Sequence, residues 1–507
     1  MSRAHTHRKL READPNWPGR QGHKARPRAE GAAILRRNWP AVALLAAGLA
    51  LRVLAQFAYR PAIFYIDTPR YLLNQASGMD PLGYKAVLRA ITAVASLDAV
   101  IIVQHLLGLA MAVVIYVLLR RRGTGRWLAA LAIAPVLLDA YQVQIEQTLM
   151  PDVWFEALIV AGLAILLWRP ETSWRRAAAA GVVLGACATF AQVGEALLLP
   201  ALIYLVAAGG GWRRVIGKAA ALCVAFALPI LAYETGSYLI AGNFFLSHTG
   251  VTSVYGRMAA AANCATLRLP SAERGLCPTK AQQAMGPDWL EFGAGSPVAP
   301  YYANLPRDET DSLIIDFNHR VLAQQPLRVL GAYTRDVVKL FMLTRTTGAG
   351  DTPISRWQFQ TAYPYFDPHA SRQVVAAATA RFGGGAPAVW RPGAVFLRAY
   401  QLDGGYTPGL LFAVLTLASL AGSAALLRRR ADPVIRQLAL ACLLLFTSAA
   451  AVLGVSDFFE FSWRYQLPAL VTLAPSGALG VAVILRWLGR RPAADSAGVP
   501  PLAEPGN

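Results

Sequence analysis

Long apolar stretches alternate with short polar connections along most of the chain. Most of the apolar stretches are close to the roughly 20 residues that an α-helix needs to cross the hydrocarbon core of a bilayer. The pattern therefore predicts an all-α polytopic membrane protein with about ten transmembrane helices. The expected spans are 39–58, 99–119, 127–143, 151–168, 176–192, 194–208, 218–240, 407–427, 434–454 and 464–486.

Two connections are much longer than the rest. Residues 59–98 form a first loop, and residues 241–406 form an insertion between spans seven and eight. The insertion combines Gly- and Pro-rich stretches with one helical pattern that Pro326 interrupts, which predicts a mixed, mainly helical domain. The expected organisation is a disordered basic tail (1–38), a transmembrane core (39–240), the insertion (241–406), three C-terminal spans (407–487) and a second tail (488–507).

The distribution of charge predicts the orientation. The 507 residues carry a formal net charge of +19, yet only 15% of them are charged. Of the 48 lysines and arginines, 27 fall in the N-terminal tail, in alternate short connections and at the C-terminal end, which the positive-inside rule assigns to the cytoplasm. We therefore expect a multi-pass plasma-membrane protein with both termini cytoplasmic and the insertion outside. This distribution argues against a nucleic-acid partner.

Five cysteines divide into two groups. Cys187, Cys223 and Cys442 lie in apolar stretches, where cysteine behaves as a small buried residue. Cys264 and Cys277 lie in the insertion, and an oxidising exterior favours a disulfide between them. Two free thiols are the alternative, and metal binding by two cysteines without clustered histidines is less favoured.

Acidic residues collect at the predicted outer ends of the spans, which suggests a polar site at that surface. Each candidate also has a structural interpretation. Asp67 begins the sequence Asp-Thr-Pro, a good helix start; Glu146 and Asp152 suit a solvated loop; Arg464 suits an interfacial side chain. Acids at such a site suit Mg²⁺ or Mn²⁺, although no sequence feature shows a metal. The acids are Asp67, Asp80, Asp98, Glu146, Asp152, Glu156, Glu195, Asp457 and Glu460.

Several short motifs occur in a characteristic order. They are Y-x-D-x-x-R-Y-L in the first loop, "QHLLGLAMAVVIYVLLRR" in span two, "YQVQIEQTLMPDVWFEALIV" entering span four, and "RYQLPALVTL" entering the last span. Together they resemble the GT-C membrane glycosyltransferases, in particular the protein O-mannosyltransferase and lipid A aminoarabinose transferase group. Many actinobacterial members carry an outer domain, so the resemblance also suggests an actinobacterial protein. It covers about half of the chain and leaves the insertion unassigned.

The resemblance implies a function and a set of site residues. Asp67 matches the catalytic acid of the family's first loop, and Arg464 and, more weakly, Arg70 match its donor-phosphate ligands. The donor is then a polyprenyl-phosphate sugar and the acceptor a glycan, lipid or protein outside the cytoplasm, with inversion at the anomeric carbon. Glu146 and Asp152 are expected to orient the acceptor or a metal. Some mannosyltransferases have two adjacent acids, but here Thr68 follows Asp67.

Other functions remain open from the sequence. A transporter or flippase for lipid-linked sugars would show repeats and broken midplane helices, which the sequence does not display. A ligase for lipid-linked glycans and a membrane scaffold for envelope assembly are further alternatives. No convincing Gly-rich nucleotide-binding motif is present, which agrees with a lipid-linked rather than a nucleotide-linked donor.

Overall fold

The computed structural model describes residues 35–73, 80–241, 244–247, 249–428 and 432–489. Nearly the whole N-terminal tail and most of the C-terminal tail lie outside these residues. Six helices in the described part are long and apolar enough to cross a membrane. They are α1 (Trp39–Ala58), α4 (Leu97–Arg121), α10 (Trp212–Ala241), α19 (Gly409–Ala424, extended by a 3₁₀ turn to Leu427), α20 (Pro433–Phe459) and α21 (Pro468–Leu488, preceded by the 3₁₀ turn Trp463–Gln466).

One further apolar segment is bent. Helices α5 (Arg126–Leu138) and α6 (Ala140–Glu146) meet at an angle of 53°. The bend falls at Asp139, whose side chain accepts a hydrogen bond from the Tyr141 backbone N–H (3.0 Å) and so begins the second helix. Arg345 of the insertion donates to the same carboxylate at 2.8 Å, and this buried ion pair fixes the insertion to the bend.

Three expected spans form shorter helices. The segments 151–168, 176–192 and 194–208 contain α7 (Asp152–Leu167), α8 (Trp174–Ala188) and α9 (Leu198–Ala208), of 16, 15 and 11 residues. A 3₁₀ turn, Gln192–Leu197, precedes α9. Because roughly 20 residues are needed to cross the hydrocarbon core, the count of about ten spans stays a prediction.

The two long connections between the membrane-length helices are mainly helical. The first loop contains a two-residue strand β1 (Tyr59–Arg60), α2 (Thr68–Leu73) and α3 (Gly83–Thr92). The insertion contains α11 (Thr249–Ala261), α12 (Lys280–Ala284), α13 (Pro287–Phe292), α14 (Ala299–Asn304), α15 (Arg307–Gln324), α16 (Pro326–Lys339), α17 (Arg372–Phe382), strand β2 (Ala388–Val389) and α18 (Arg391–Leu402), with 3₁₀ turns at Ser271–Leu276 and Ile354–Trp357.

The insertion has two parts that pack differently. The part up to α16, which we call the lobe (249–339), encloses a hydrophobic cluster of its own that includes Tyr255, Phe317 and Val329. The part after the lobe packs on the core instead: β2 pairs antiparallel with β1, and α18 packs on α1. The first loop and the end of the insertion therefore form one surface at the same end of the bundle.

Close packing between helices explains why a glycine occupies position 480. A Cβ atom added to Gly480 of α21 would lie 2.1 Å from the carbonyl oxygen of Ala418 on α19. Only glycine permits this approach, as is usual where membrane helices pack through their backbones. The last helix is thereby held deep in the bundle, and Arg464 lies just before its N-terminal end.

Candidate active site

Backbone pairing positions the loop that carries Asp67. Ile63 forms a parallel bridge with Thr148, in which the Leu149 N–H donates to the Ile63 carbonyl oxygen at 3.0 Å. The Thr68 hydroxyl donates to the Leu149 carbonyl oxygen at 3.1 Å. The turn at Asp67 is thus bound to the segment that leads directly into α7.

Five ionised side chains converge at this point, and we call them the Asp67 cluster. Asp67 Oδ1 accepts from Arg70 Nη2 at 2.8 Å, and Asp67 Oδ2 lies 3.6 Å from Arg464 Nη1. Arg464 Nε donates to Asp152 Oδ1 at 2.7 Å, and Arg70 Nε lies 2.9 Å from Asp80 Oδ2. Four predicted site residues, Asp67, Arg70, Asp152 and Arg464, are therefore brought together.

The cluster is partly shielded from water but still reachable. The side chains are between 11% exposed, for Arg464, and 21% exposed, for Arg70. Charges at this depth interact more strongly than they do in bulk water. Asp152 Oδ2 is buried and has no hydrogen-bond partner among the described residues.

The opposite charges in the cluster change one another's pKa in the direction that favours the ionised forms. Burial lowers the pKa of Arg70, but the carboxylates of Asp67 and Asp80 outweigh burial and the net pKa is raised. Burial raises the pKa of Asp80, opposed by the positive charge of Arg70. With three carboxylates and two guanidinium groups, the cluster is close to neutral before any ligand binds.

Two residues of the insertion, Arg356 and Trp357, form an aromatic and basic wall beside the cluster. The rings of Trp357 and Tyr65 lie 4.5 Å apart, and Arg464 Cζ lies 5.4 Å from the Trp357 ring centroid. Arg356 Nη1 donates to the Tyr65 hydroxyl at 3.4 Å and lies 3.7 Å from Asp288 Oδ2. Arg356 is 30% exposed, so a third guanidinium group is accessible near Asp67.

Additional acids of the insertion and of the α20–α21 connection lie near this wall. Burial raises the pKa of Asp288, opposed by Arg356. Burial also raises the pKa of Glu460 well above its usual range, and Asp288 and Glu291 add to this effect. These carboxyl groups can therefore carry protons at a pH at which exposed carboxyl groups are ionised.

Glu146 lies apart from the Asp67 cluster. Its carboxylate receives two hydrogen bonds from Arg52 of α1, at 2.6 and 2.7 Å, and contacts His105 Nδ1 at 3.0 Å. Glu146 is fully buried, because the bend at Asp139 directs the end of α6 against α1 and α4. The structure thus provides a packing role for Glu146, and the acceptor-orienting role remains a prediction.

The helix-start interpretation of Asp67 is compatible with a chemical role. Helix α2 begins at Thr68, and the Asp67 carbonyl oxygen accepts from the Arg70 backbone N–H at 2.9 Å. The Asp67 carboxylate is engaged by guanidinium groups. The backbone of Asp67 therefore starts the helix while its side chain faces the cluster.

The disulfide prediction is confirmed, and Cys264 and Cys277 are bonded. They lie in the lobe and are not part of the Asp67 cluster. Among the described residues, no group of three or more His, Cys, Asp or Glu side chains is arranged to hold a metal ion. In the Asp67 cluster each carboxylate is already bonded to an arginine, so the donor set does not fit a divalent cation and no step below involves one.

Three residues beside the cluster, Asp288, Arg356 and Trp357, were not predicted as site residues from the sequence. They lie more than two hundred residues from Asp67 along the chain, in a part with no recognised motif. An adjacent arginine and tryptophan in a polar outer segment was the only signal available, and such a pair is common on surfaces. Asp80 was visible as an acid of the first loop but had no assigned role.

Comparisons with known proteins give similarity at the level of structure alone. No family model and no curated protein matches this chain. The apo oligosaccharyltransferase of Archaeoglobus fulgidus is 14% identical with a TM-score of 0.44, covering 90% of this chain and 51% of that chain. The same archaeon's oligosaccharyltransferase AglB, in complex with an inhibitory peptide and a dolichol-phosphate, is 13% identical with a TM-score of 0.39, covering 91% and 53%.

A second kind of transferase is also similar. The S. cerevisiae protein O-mannosyltransferase Pmt1-Pmt2 complex bound to the sugar donor is 15% identical with a TM-score of 0.32, covering 45% of this chain and 38% of that chain. The chain thus spans about half the length, or less, of these proteins.

Proposed function

We propose that this protein is an integral membrane glycosyltransferase that moves a sugar from a polyprenyl-phosphate donor to an acceptor outside the cytoplasm, with inversion. The observation that carries the proposal is the pairing of Asp67 with Arg464 and Arg70 in a partly exposed cluster. A carboxylate beside two guanidinium groups supplies a base and a phosphate site within one small volume. The motif resemblance to GT-C enzymes agrees with this assignment.

Arg464 and Arg70 are the proposed ligands of the donor phosphate. Guanidinium groups bind phosphate oxygens through paired, charge-assisted hydrogen bonds. As the sugar departs, negative charge gathers on the phosphate, and a fixed cation at low exposure stabilises this charge in the transition state. Asp152 holds Arg464 in place through its 2.7 Å bond.

Asp67 is the proposed general base. The acceptor hydroxyl attacks the anomeric carbon as the bond between that carbon and the phosphate oxygen breaks. The hydroxyl proton passes to the Asp67 carboxylate, and the bonding electrons leave with polyprenyl phosphate. A single displacement of this kind inverts the anomeric configuration, and general base catalysis contributes roughly 10²–10⁴-fold.

The ion pairs suggest that the donor binds before the acceptor reacts. Without a ligand, both oxygens of Asp67 face guanidinium groups, at 2.8 and 3.6 Å. A donor phosphate competes for the same N–H groups and thereby releases Asp67 to accept a proton. The wall around Trp357 is the proposed contact of the acceptor, and Asp152 is proposed to orient that group.

The proposed location is the plasma membrane, with both termini cytoplasmic and the Asp67 cluster outside. The proposal is supported by the positive-inside distribution of Lys and Arg and by six membrane-length helices in the described residues. The disulfide Cys264–Cys277 agrees with an insertion in an oxidising compartment.

Acceptor-dependent release of polyprenyl phosphate tests the proposal. Purified protein in detergent is incubated with a radiolabelled short-chain polyprenyl-phosphate hexose, with and without an extract of cell-envelope glycans. We expect polyprenyl phosphate to appear, and sugar to reach the glycan fraction, only when both substrates are present. Movement of intact donor across a vesicle membrane without its cleavage would instead support a flippase and contradict the proposal.

A further inference from the structure

An open groove of about 670 Å³ lies on the lobe. All but one of its lining residues belong to the loop that the Cys264–Cys277 disulfide closes, and the remaining one is Arg320 of α15. None of them belongs to the Asp67 cluster. The lining includes the apolar residues Leu267 and Leu269, and Arg268, Arg274 and Arg320 provide three guanidinium groups.

The groove is built on a rigid support. Besides the disulfide, the Arg268 backbone exchanges two hydrogen bonds with the Gln324 side chain, at 2.9 and 3.2 Å. The Tyr301 hydroxyl donates to the Ala272 carbonyl oxygen at 2.7 Å. A loop that is fixed in this way loses little conformational entropy when a ligand binds.

The groove carries an excess of positive charge. Arg268 and Arg274 are exposed, and no carboxylate among the described residues pairs with them. Arg320 Nε donates to the buried carboxylate of Glu273 at 3.1 Å, so the charge of this guanidinium group is partly compensated. Counting Glu273, the formal charge around the groove is about +2.

We infer that this groove binds an acidic saccharide chain, one that carries carboxylate or phosphodiester groups, and thereby holds the acceptor of the transfer reaction. The inference rests on the proposed function. Guanidinium groups select anions, and the volume lies within the roughly 300–1,000 Å³ of typical ligand sites. A site that binds a membrane surface presents protruding basic and aromatic side chains. This groove is concave instead, and its lining contains no aromatic residue.

Direct binding to the full-length protein in detergent tests the inference. The probes are hexagalacturonate, the neutral maltohexaose, and glycerophosphoglycerol as the headgroup of an anionic lipid. We expect hexagalacturonate to bind most tightly and the double variant Arg268→Gln/Arg274→Gln to weaken it by about three- to tenfold, as expected for exposed charge pairs. The control Arg335→Gln removes an exposed arginine of α16 and should leave binding unchanged.

Two results would overturn the inference. One is equal binding of hexagalacturonate by the wild type and by the double variant with its disulfide intact. The other is tighter binding of glycerophosphoglycerol than of hexagalacturonate, which would identify a lipid-headgroup site. An Asp67→Asn variant should bind hexagalacturonate as the wild type does, so failure of the proposed chemistry remains distinguishable from failure of the groove.

Discussion

Variants of the buried ion pair between Arg52 and Glu146 can distinguish a structural role of Glu146 from a role in sugar transfer. The two side chains are 1% and 0% exposed and are joined by hydrogen bonds of 2.6 and 2.7 Å. Arg52 also donates to the backbone carbonyl oxygens of Gly48, Val136 and Leu137. All of its described partners are therefore protein groups, and Glu146 is the only anion among them.

Replacing Glu146 with glutamine would remove that anion and leave the guanidinium charge of Arg52 buried. Breaking a buried pair in this way costs about 3–5 kcal/mol. The entropy of unfolding is about 2 cal/mol/K per residue, or about 1 kcal/mol/K for a chain of 507 residues. Dividing the lost free energy by this entropy predicts that Tm falls by about 3–5 °C. Little room exists for rearrangement, because a Cβ atom added to Gly108 would already lie 2.2 Å from Glu146 Oε1.

Thermal unfolding of purified protein, followed by intrinsic fluorescence in detergent, measures this effect. The double variant Arg52→Met/Glu146→Leu should recover most of the lost stability, because both charges leave together. Glu309→Gln, at an exposed position of α15, is the matched control and should not change Tm. A Glu146→Gln protein with unchanged Tm but with sugar transfer abolished would refute the packing role and restore Glu146 to the active site.

Three other predictions follow from the same structure. Arg464→Gln should weaken binding of a polyprenyl-phosphate sugar by about tenfold or more, measured by ligand titration, with partial recovery in Arg464→Lys; unchanged affinity would remove Arg464 from the phosphate site. Burial raises the pKa of Glu291 from 4.5 to about 8, opposed by the Ser253 hydroxyl, so the folded protein retains a proton that the unfolded chain releases. Stability should fall as pH rises through that window, and Glu291→Gln should flatten the dependence of Tm on pH; an identical profile would contradict this cause. Cysteine placed at exposed Ala294, in a variant without the three free cysteines, should react with a membrane-impermeant maleimide in intact cells, whereas labelling only after lysis would reverse the orientation.

Local features of the fold and site were accessible from the sequence. The apolar stretches predict the long helices because hydrocarbon requires helices of a certain length. Asp67 and Arg70 are three residues apart, a spacing at which helical side chains meet. The partners Cys264 and Cys277 are separated by only 13 residues in an outer segment.

Long-range features were not accessible. Arg464 and Asp152 meet across 312 residues, and no local preference encodes that contact. The inward direction of Glu146 depends on the 53° bend at Asp139, and the apolar pattern of the sequence does not reveal a change of helix direction. Arg356 contacts Tyr65 because the insertion packs on the core, and the local sequence around Arg356 contains no signal for that packing.

The turnover of an Asp67→Asn variant tests the central claim most directly. Asparagine keeps the shape of the side chain and starts helices as well as aspartate, so α2 should form normally. The variant is compared with the wild type and with Asp98→Asn, which changes the acid at the end of the first loop. If Asp67 is the base, the Asp67→Asn protein should fold, bind the donor lipid and lose at least about a hundredfold in turnover, while Asp98→Asn stays near normal. Near-normal sugar transfer by folded Asp67→Asn protein would contradict the account.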